Sequence, residues 1–197
     1  MSTDLTEHFL RGETVFEGAL LRVRRDVVRL PDGREAGREY IRHPGAVAII
    51  PLFEDGSILL ERQFRYPLGR EFIEIPAGKI DPGEAPEQTA RRELLEETGY
   101  VADSWTWLGL IHVAIAYTDE GIGIYLARGL TLKEHRRDEE EFLETFRMPY
   151  SEAFRMVLDG RITDSKTVTG LFWLREHLAD KGWGRAPSVE GAVKPAL

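Results

Sequence analysis

The chain contains no cysteine, which excludes disulfide cross-links and every zinc site built on thiolates. Long apolar runs are missing too. The longest, from Gly45 to Phe53, falls far short of the roughly twenty residues a membrane-crossing helix needs. Basic excess is absent: the formal net charge is −8, whereas a general nucleic-acid binder normally carries a positive balance. The five histidines form no close metal-ligand pair. Met1 to Arg11 is polar and acidic and shows no secretory pattern. Together these absences point to a cytoplasmic protein with no nucleic-acid and no membrane partner.

What is present suits a folded protein. The 197 residues are 42% hydrophobic and 30% charged, enough for a sizeable core. Residues 13–30 and 35–42 read as strands around a turn at Pro31, Asp32 and Gly33. Ala46 to Phe53 reads as a buried strand, with Ile58 to Arg65 as its hairpin partner across a turn at Glu54 to Ser57. Glu71 to Pro76 is a short strand. A helix is expected from near Glu84 to Gly99, where glycine supplies the left-handed cap. Strands follow at Trp105 to Ala114 and Gly121 to Leu130, then a charged loop over 131–141 and a strand from Phe142 to Met148. Ser151 to Leu158 and Ser165 to Leu178 read as helices, and the Gly/Ala/Pro-rich tail as disordered. The class is α/β, a mixed sheet flanked by helices behind a β-rich N-terminal arm.

The chemistry concentrates on the long helix. Glu93 and Glu97 stand four apart and so stack on one face, with Glu96 beside them. Like charges at this spacing destabilise a bare helix by a few tenths of a kcal/mol. A cation among them converts repulsion into coordination, and oxygen-only ligands suit Mg²⁺ or Mn²⁺ rather than zinc. The bland alternative is a solvated, charge-rich helix with a glycine stop.

The spacing itself is a pattern. Gly78, Glu84, Arg92, Glu93, Leu94, Glu96, Glu97 and Gly99, with Tyr100 in the last slot, resemble the Nudix box, a glycine loop followed by R-E-U-x-E-E-x-G-U where U is apolar. The resemblance implies an α/β/α sandwich over residues 43–180, an arm over 1–42 that serves dimerisation and substrate contact, and a disordered tail over 181–197. It implies metal-dependent hydrolysis of a nucleoside diphosphate linked to a further group. Glu93, Glu96 and Glu97 are the expected metal ligands, and the resemblance adds the backbone carbonyl of Ala77. Arg92 and Glu84 are expected to pair or to orient the cluster.

Segments outside the box resemble the ADP-ribose pyrophosphatase branch: Arg38 to Val47, Leu60 to Pro67, Glu74 to Gly78, Asp138 to Glu144 and Gly160 to Thr167. The branch implies hydrolysis of ADP-ribose to AMP and ribose 5-phosphate by a homodimer joined through the arm. It places the general base on the late acidic loop, with Glu139 first and Glu141 second. Arg65 is the expected phosphate ligand, since its planar fork matches phosphate oxygens. Arg38, Glu74, Glu120 and Phe16 complete the expected substrate contacts. Where the branch carries a Ser-Pro-Gly-like turn, this chain reads Ala114 to Glu120 without proline, and no aromatic follows Gly18. Another nucleoside diphosphate sugar, such as a GDP-hexose, therefore stays open as substrate, as does a non-catalytic nucleotide-sensing module.

Overall fold

A computed structural model of the chain describes residues 4–133 and 142–179. Two compact units emerge. One holds residues 4–44 and 112–120; the other holds the rest of the described chain.

The smaller unit is built on three antiparallel strands in the order β1-β2-β3, with β1 His8–Glu17, β2 Arg22–Arg29 and β3 Glu35–Arg42. The single strand expected over residues 13–30 is thus two strands. A tight turn closed by the Gly18 N–H on the Leu21 carbonyl separates them. Apolar Ala19, Leu20 and Leu21 gave that turn no recognisable turn chemistry. The arm also recruits a distant segment: the Ile41 N–H donates to the Tyr117 carbonyl and the Asp119 N–H to the Ile41 carbonyl.

The larger unit carries two sheets. One has the order β7-β4-β9-β8, from β4 Ala46–Pro51, β7 Ala77–Lys79, β8 Tyr100–His112 and β9 Gly121–Leu132. Strand β4 runs parallel to β9 and antiparallel to β7, so the sheet is mixed. The other sheet, β10-β5-β6, is antiparallel, with β5 Ser57–Arg65, β6 Arg70–Glu74 and β10 Leu143–Pro149. The expected hairpin of β4 with β5 does not form; a lone bridge between Leu52 and Ile58 links them. All of β4 is buried, as a strand covered on both faces must be. It takes its partners from β7 and β9, leaving β5 to the second sheet.

Helices cover both faces of β4 and β9. Val47, Ile49 and Tyr125 pack with Ala90 and Leu94 of α1, Pro86–Thr98. On the other face Gly170 of α3, Ser165–Leu178, approaches Ile50 and Ile124 so closely that an added Cβ would lie 3.2 Å from the Ile50 Cδ1. This is an α/β/α sandwich, with α2, Tyr150–Leu158, following β10. Helix α1 starts at Pro86, two residues after Glu84, because Ala85 is extended and proline fits the first turn. It ends as expected at Gly99, whose φ of 74° is the left-handed cap. Strand β8 starts at Tyr100, straight after this cap, five residues ahead of its expected start.

Candidate active site

Strand β7 is the element that sequence reading missed, and it organises the site. Its three residues pair with Ala46, Val47 and Ala48 of β4. Helix α1 lies against this short edge strand and brings its carboxylates onto the backbone. Glu97, which is buried, accepts a hydrogen bond from the Ala77 N–H at 3.0 Å. A Cβ at Gly78 would lie 1.9 Å from the Glu93 carboxyl carbon, so glycine leaves the room that this carboxylate occupies. Glu93 and Glu97 therefore meet two successive residues of β7, Ala77 and Gly78.

Arg92 gathers the remaining acids. Its guanidinium donates to both oxygens of Glu84 at 3.2 and 3.0 Å, to Glu93 at 2.8 Å and to Glu96 at 2.9 Å. It also reaches the Lys79 carbonyl at 3.2 Å. The hydrogen bond to Glu84 foremost raises the Arg92 pKa. The same bond, with one from Thr89, holds Glu84 below its ordinary value. A single cation thus offsets the like-charge repulsion along α1. Among the described residues no three acidic or histidine side chains are already gathered around one point. Glu93 and Glu96 are bonded to Arg92, while Glu97 faces the Ala77 amide.

The donor chemistry still fits a hard divalent cation. Three carboxylates and nearby main-chain carbonyls offer only oxygen. The space kept by Gly78 sits beside Glu93 at the same strand. Glu93, Glu96, Glu97 and the carbonyl of Ala77, the ligands expected from the sequence, could hold such an ion.

Arg65, at the end of β5, is gripped along one edge by Glu74 of β6. Its Nε and Nη2 each donate to one carboxylate oxygen at 2.7 Å. Burial pushes the Glu74 carboxyl up, but bonds from Arg65 and the charge of Lys166 outweigh it and leave the group below its ordinary value. Glu74 is buried, so it serves as the anchor of Arg65. Sequence reading had placed both in substrate contact and had missed Lys166 and Asp164, which lie behind Glu74.

The remaining expected contacts lie in the smaller unit. Arg38 is paired with Glu7, Nε to Oε2 at 2.9 Å. Glu120 stands 3.8 Å from His43 Nε2. Phe16 is half exposed near the end of β1, its ring against Gly18. Glu139, Glu141 and the tail over 181–197 lie outside the described residues.

Comparison with known proteins gives this geometry its context. Residues 42–171 match the NUDIX domain. The chain belongs to the Nudix family. Residues 8–41 match the nucleoside diphosphate sugar hydrolase N-terminal domain, which corresponds to the three-stranded arm. A methanol dehydrogenase activator from Bacillus methanolicus is 40% identical over 171 residues, 86% of this chain and 92% of that protein. An ADP-ribose pyrophosphatase from Bacillus subtilis (strain 168) is 38% identical over 173 residues, covering 87% and 94%. A crystal structure of an ADP compounds hydrolase superposes with a TM-score of 0.79 at 28% identity, covering 93% of this chain and 100% of that one. The protein is a Nudix pyrophosphohydrolase, a family whose hydrolases work with a divalent metal. Among the described residues no helix is long and apolar enough to cross a membrane.

Proposed function

We propose that this Nudix enzyme hydrolyses ADP-ribose to AMP and ribose 5-phosphate with Mg²⁺, Mn²⁺ being able to replace it. The observation that carries the hydrolase reading is the meeting of Glu93 and Glu97 with the Ala77–Gly78 backbone of β7, and the likeness to an ADP-ribose pyrophosphatase supports the substrate. Glu93, Glu96, Glu97 and the Ala77 carbonyl hold the ion, which supplies neutralisation of charge on the phosphoryl oxygens when bound.

The protein's own groups do the rest. Arg65 donates to a substrate phosphate from the edge that Glu74 leaves open. Arg92 keeps Glu93 and Glu96 in place on the helix face. Glu139, with Glu141 as the second choice, takes the proton from the attacking water. Arg38, Glu120 and Phe16 contact the nucleoside end. Phe9, Phe16, Leu20, Ile115 and Tyr117 leave large apolar surfaces exposed in the smaller unit. Such a concentration favours a partner surface, which supports a homodimer joined through the arm. The arm over 1–42, the catalytic domain over 43–180 and a tail over 181–197 are the functional divisions, in a cytoplasmic enzyme.

A substrate panel tests this. ADP-ribose should give a higher kcat/KM than GDP-hexoses or other nucleoside diphosphate sugars. A preference for a GDP-hexose overturns the substrate assignment, and tight nucleotide binding without turnover overturns the enzyme assignment.

A further inference from the structure

Behind Arg65 and its anchor Glu74 stand Lys166 and Asp164, to which the mechanism gives no task. Glu74 and Lys166 are 3% and 7% exposed. Oε2 of Glu74 accepts from Arg65 Nη2 and from Lys166 Nζ. Lys166 Nζ also donates to Asp164 at 3.0 Å. Asp164 caps the N-terminus of α3, accepting from the Thr167 N–H at 3.0 Å and the Thr167 hydroxyl at 2.6 Å. The Thr167 oxygen in turn accepts the Ile75 N–H at 2.9 Å. The start of α3 is thereby fastened to the Glu74 side chain and the Ile75 backbone, just ahead of β7.

The electrostatics follow from this order. Arg65 and Glu74 alone would form a neutral pair, with little attraction left for an anion. Lys166 competes for one Glu74 oxygen and offsets its charge. Asp164 is offset by the positive end of α3 at which it sits, and a further acid, Glu61, lies buried on β5 opposite Glu74. Lys166 therefore weakens the cancellation of the Arg65 field by Glu74. Arg65 also keeps its direction, because both bonded nitrogens lie on the Glu74 side. Among the described residues its Nη1 donates to no partner, and the side chain is 44% exposed.

We propose that Lys166 is a positioning residue for substrate binding: by sharing Glu74 it leaves the positive field of Arg65 less neutralised and its open edge turned outward to receive a phosphate of the nucleoside diphosphate. This rests on the reading of Arg65 as a phosphate ligand.

The test is a double-mutant cycle on the full-length enzyme with ADP-ribose and Mg²⁺, reading KM and kcat separately. Lys166→Met should raise KM about tenfold, the size of one lost charge-assisted contact, with kcat within about threefold. In a Glu74→Gln background the same substitution should change KM by less than about threefold, since the carboxylate through which Lys166 acts on Arg65 is gone. An equal rise in both backgrounds overturns the proposal, because it marks either direct substrate contact or general damage. Lys166→Arg keeps the charge and should hold KM within about threefold of wild type; a tenfold rise there also overturns it. This variant decides the matter if Lys166→Met fails to give a native circular dichroism spectrum. Arg65→Ala separates the two readings. If its KM equals that of wild type, Arg65 is no phosphate ligand. If its KM rises while that of Lys166→Met does not, only the role of Lys166 fails.

Discussion

At the scale of single residues, the site turns on where two carboxylates and one missing Cβ meet. Glu97→Gln keeps an acceptor for the Ala77 N–H and removes a like charge from α1. It should fold with an unchanged or slightly higher Tm and lose activity by about 10² or more, as the loss of a metal-holding charge demands. Activity within about twofold of wild type would contradict that role. Gly78→Ala tests the other half. Its methyl group would lie 1.9 Å from the Glu93 carboxyl carbon and force that group aside. A loss of about 10- to 100-fold in activity is expected, the range seen when ligand support is removed. The box spacing made Gly78 and the glutamates legible in the sequence. Why position 78 must be glycine was not legible, because the reason is a contact between residues fifteen apart. Lys166 stayed hidden for the same kind of reason: its partner Glu74 is 92 positions away.

Glu74 also sets a dependence on pH. Its native carboxyl titrates below the ordinary value of 4.5. Between the native and the ordinary value, the unfolded chain binds a proton that the native protein does not. Stability from this group is therefore present above 4.5 and is lost as pH falls through the lowered native value. Glu74→Gln should flatten the fall of Tm with pH below 4.5, measured by scanning calorimetry. Identical slopes for both proteins would contradict the assignment.

At the scale of elements, legibility followed the strength of local pattern. Helix α1 was readable because the glycine loop, the carboxylate spacing and the final glycine agree. Strand β3 was readable from its turn at Pro31 to Gly33. Strand β7 was not: Ala77, Gly78 and Lys79 carry no β-branched or aromatic residue, and the strand exists through pairing with β4. The pairing of β4 was misread for a related reason. Adjacent strands joined by a turn commonly form a hairpin, yet β4 is a central strand whose partners β7 and β9 come later in the chain. The acidic segment makes its own prediction at this scale. Glu139→Gln should lower kcat by about 10² while changing KM less, the signature of a base used in the transition state. A larger loss in Glu141→Gln would move the role to that residue.

At the scale of the whole molecule, assembly and reaction meet in the arm. The arm is a three-stranded sheet extended by residues 112–120, with large apolar side chains left exposed. Light scattering of the full chain at micromolar concentration should return twice the monomer mass of 22.4 kDa. A clean monomer would end the dimer assignment. The reaction itself admits one direct measurement. ADP-ribose should be incubated with the enzyme, with and without Mg²⁺, and the products separated by chromatography. AMP and ribose 5-phosphate should form in equal amounts, with formation abolished by a chelator and restored by added Mg²⁺. ADP-ribose left intact under conditions where another nucleoside diphosphate sugar is cleaved, or cleavage that persists in chelator, would contradict this assignment.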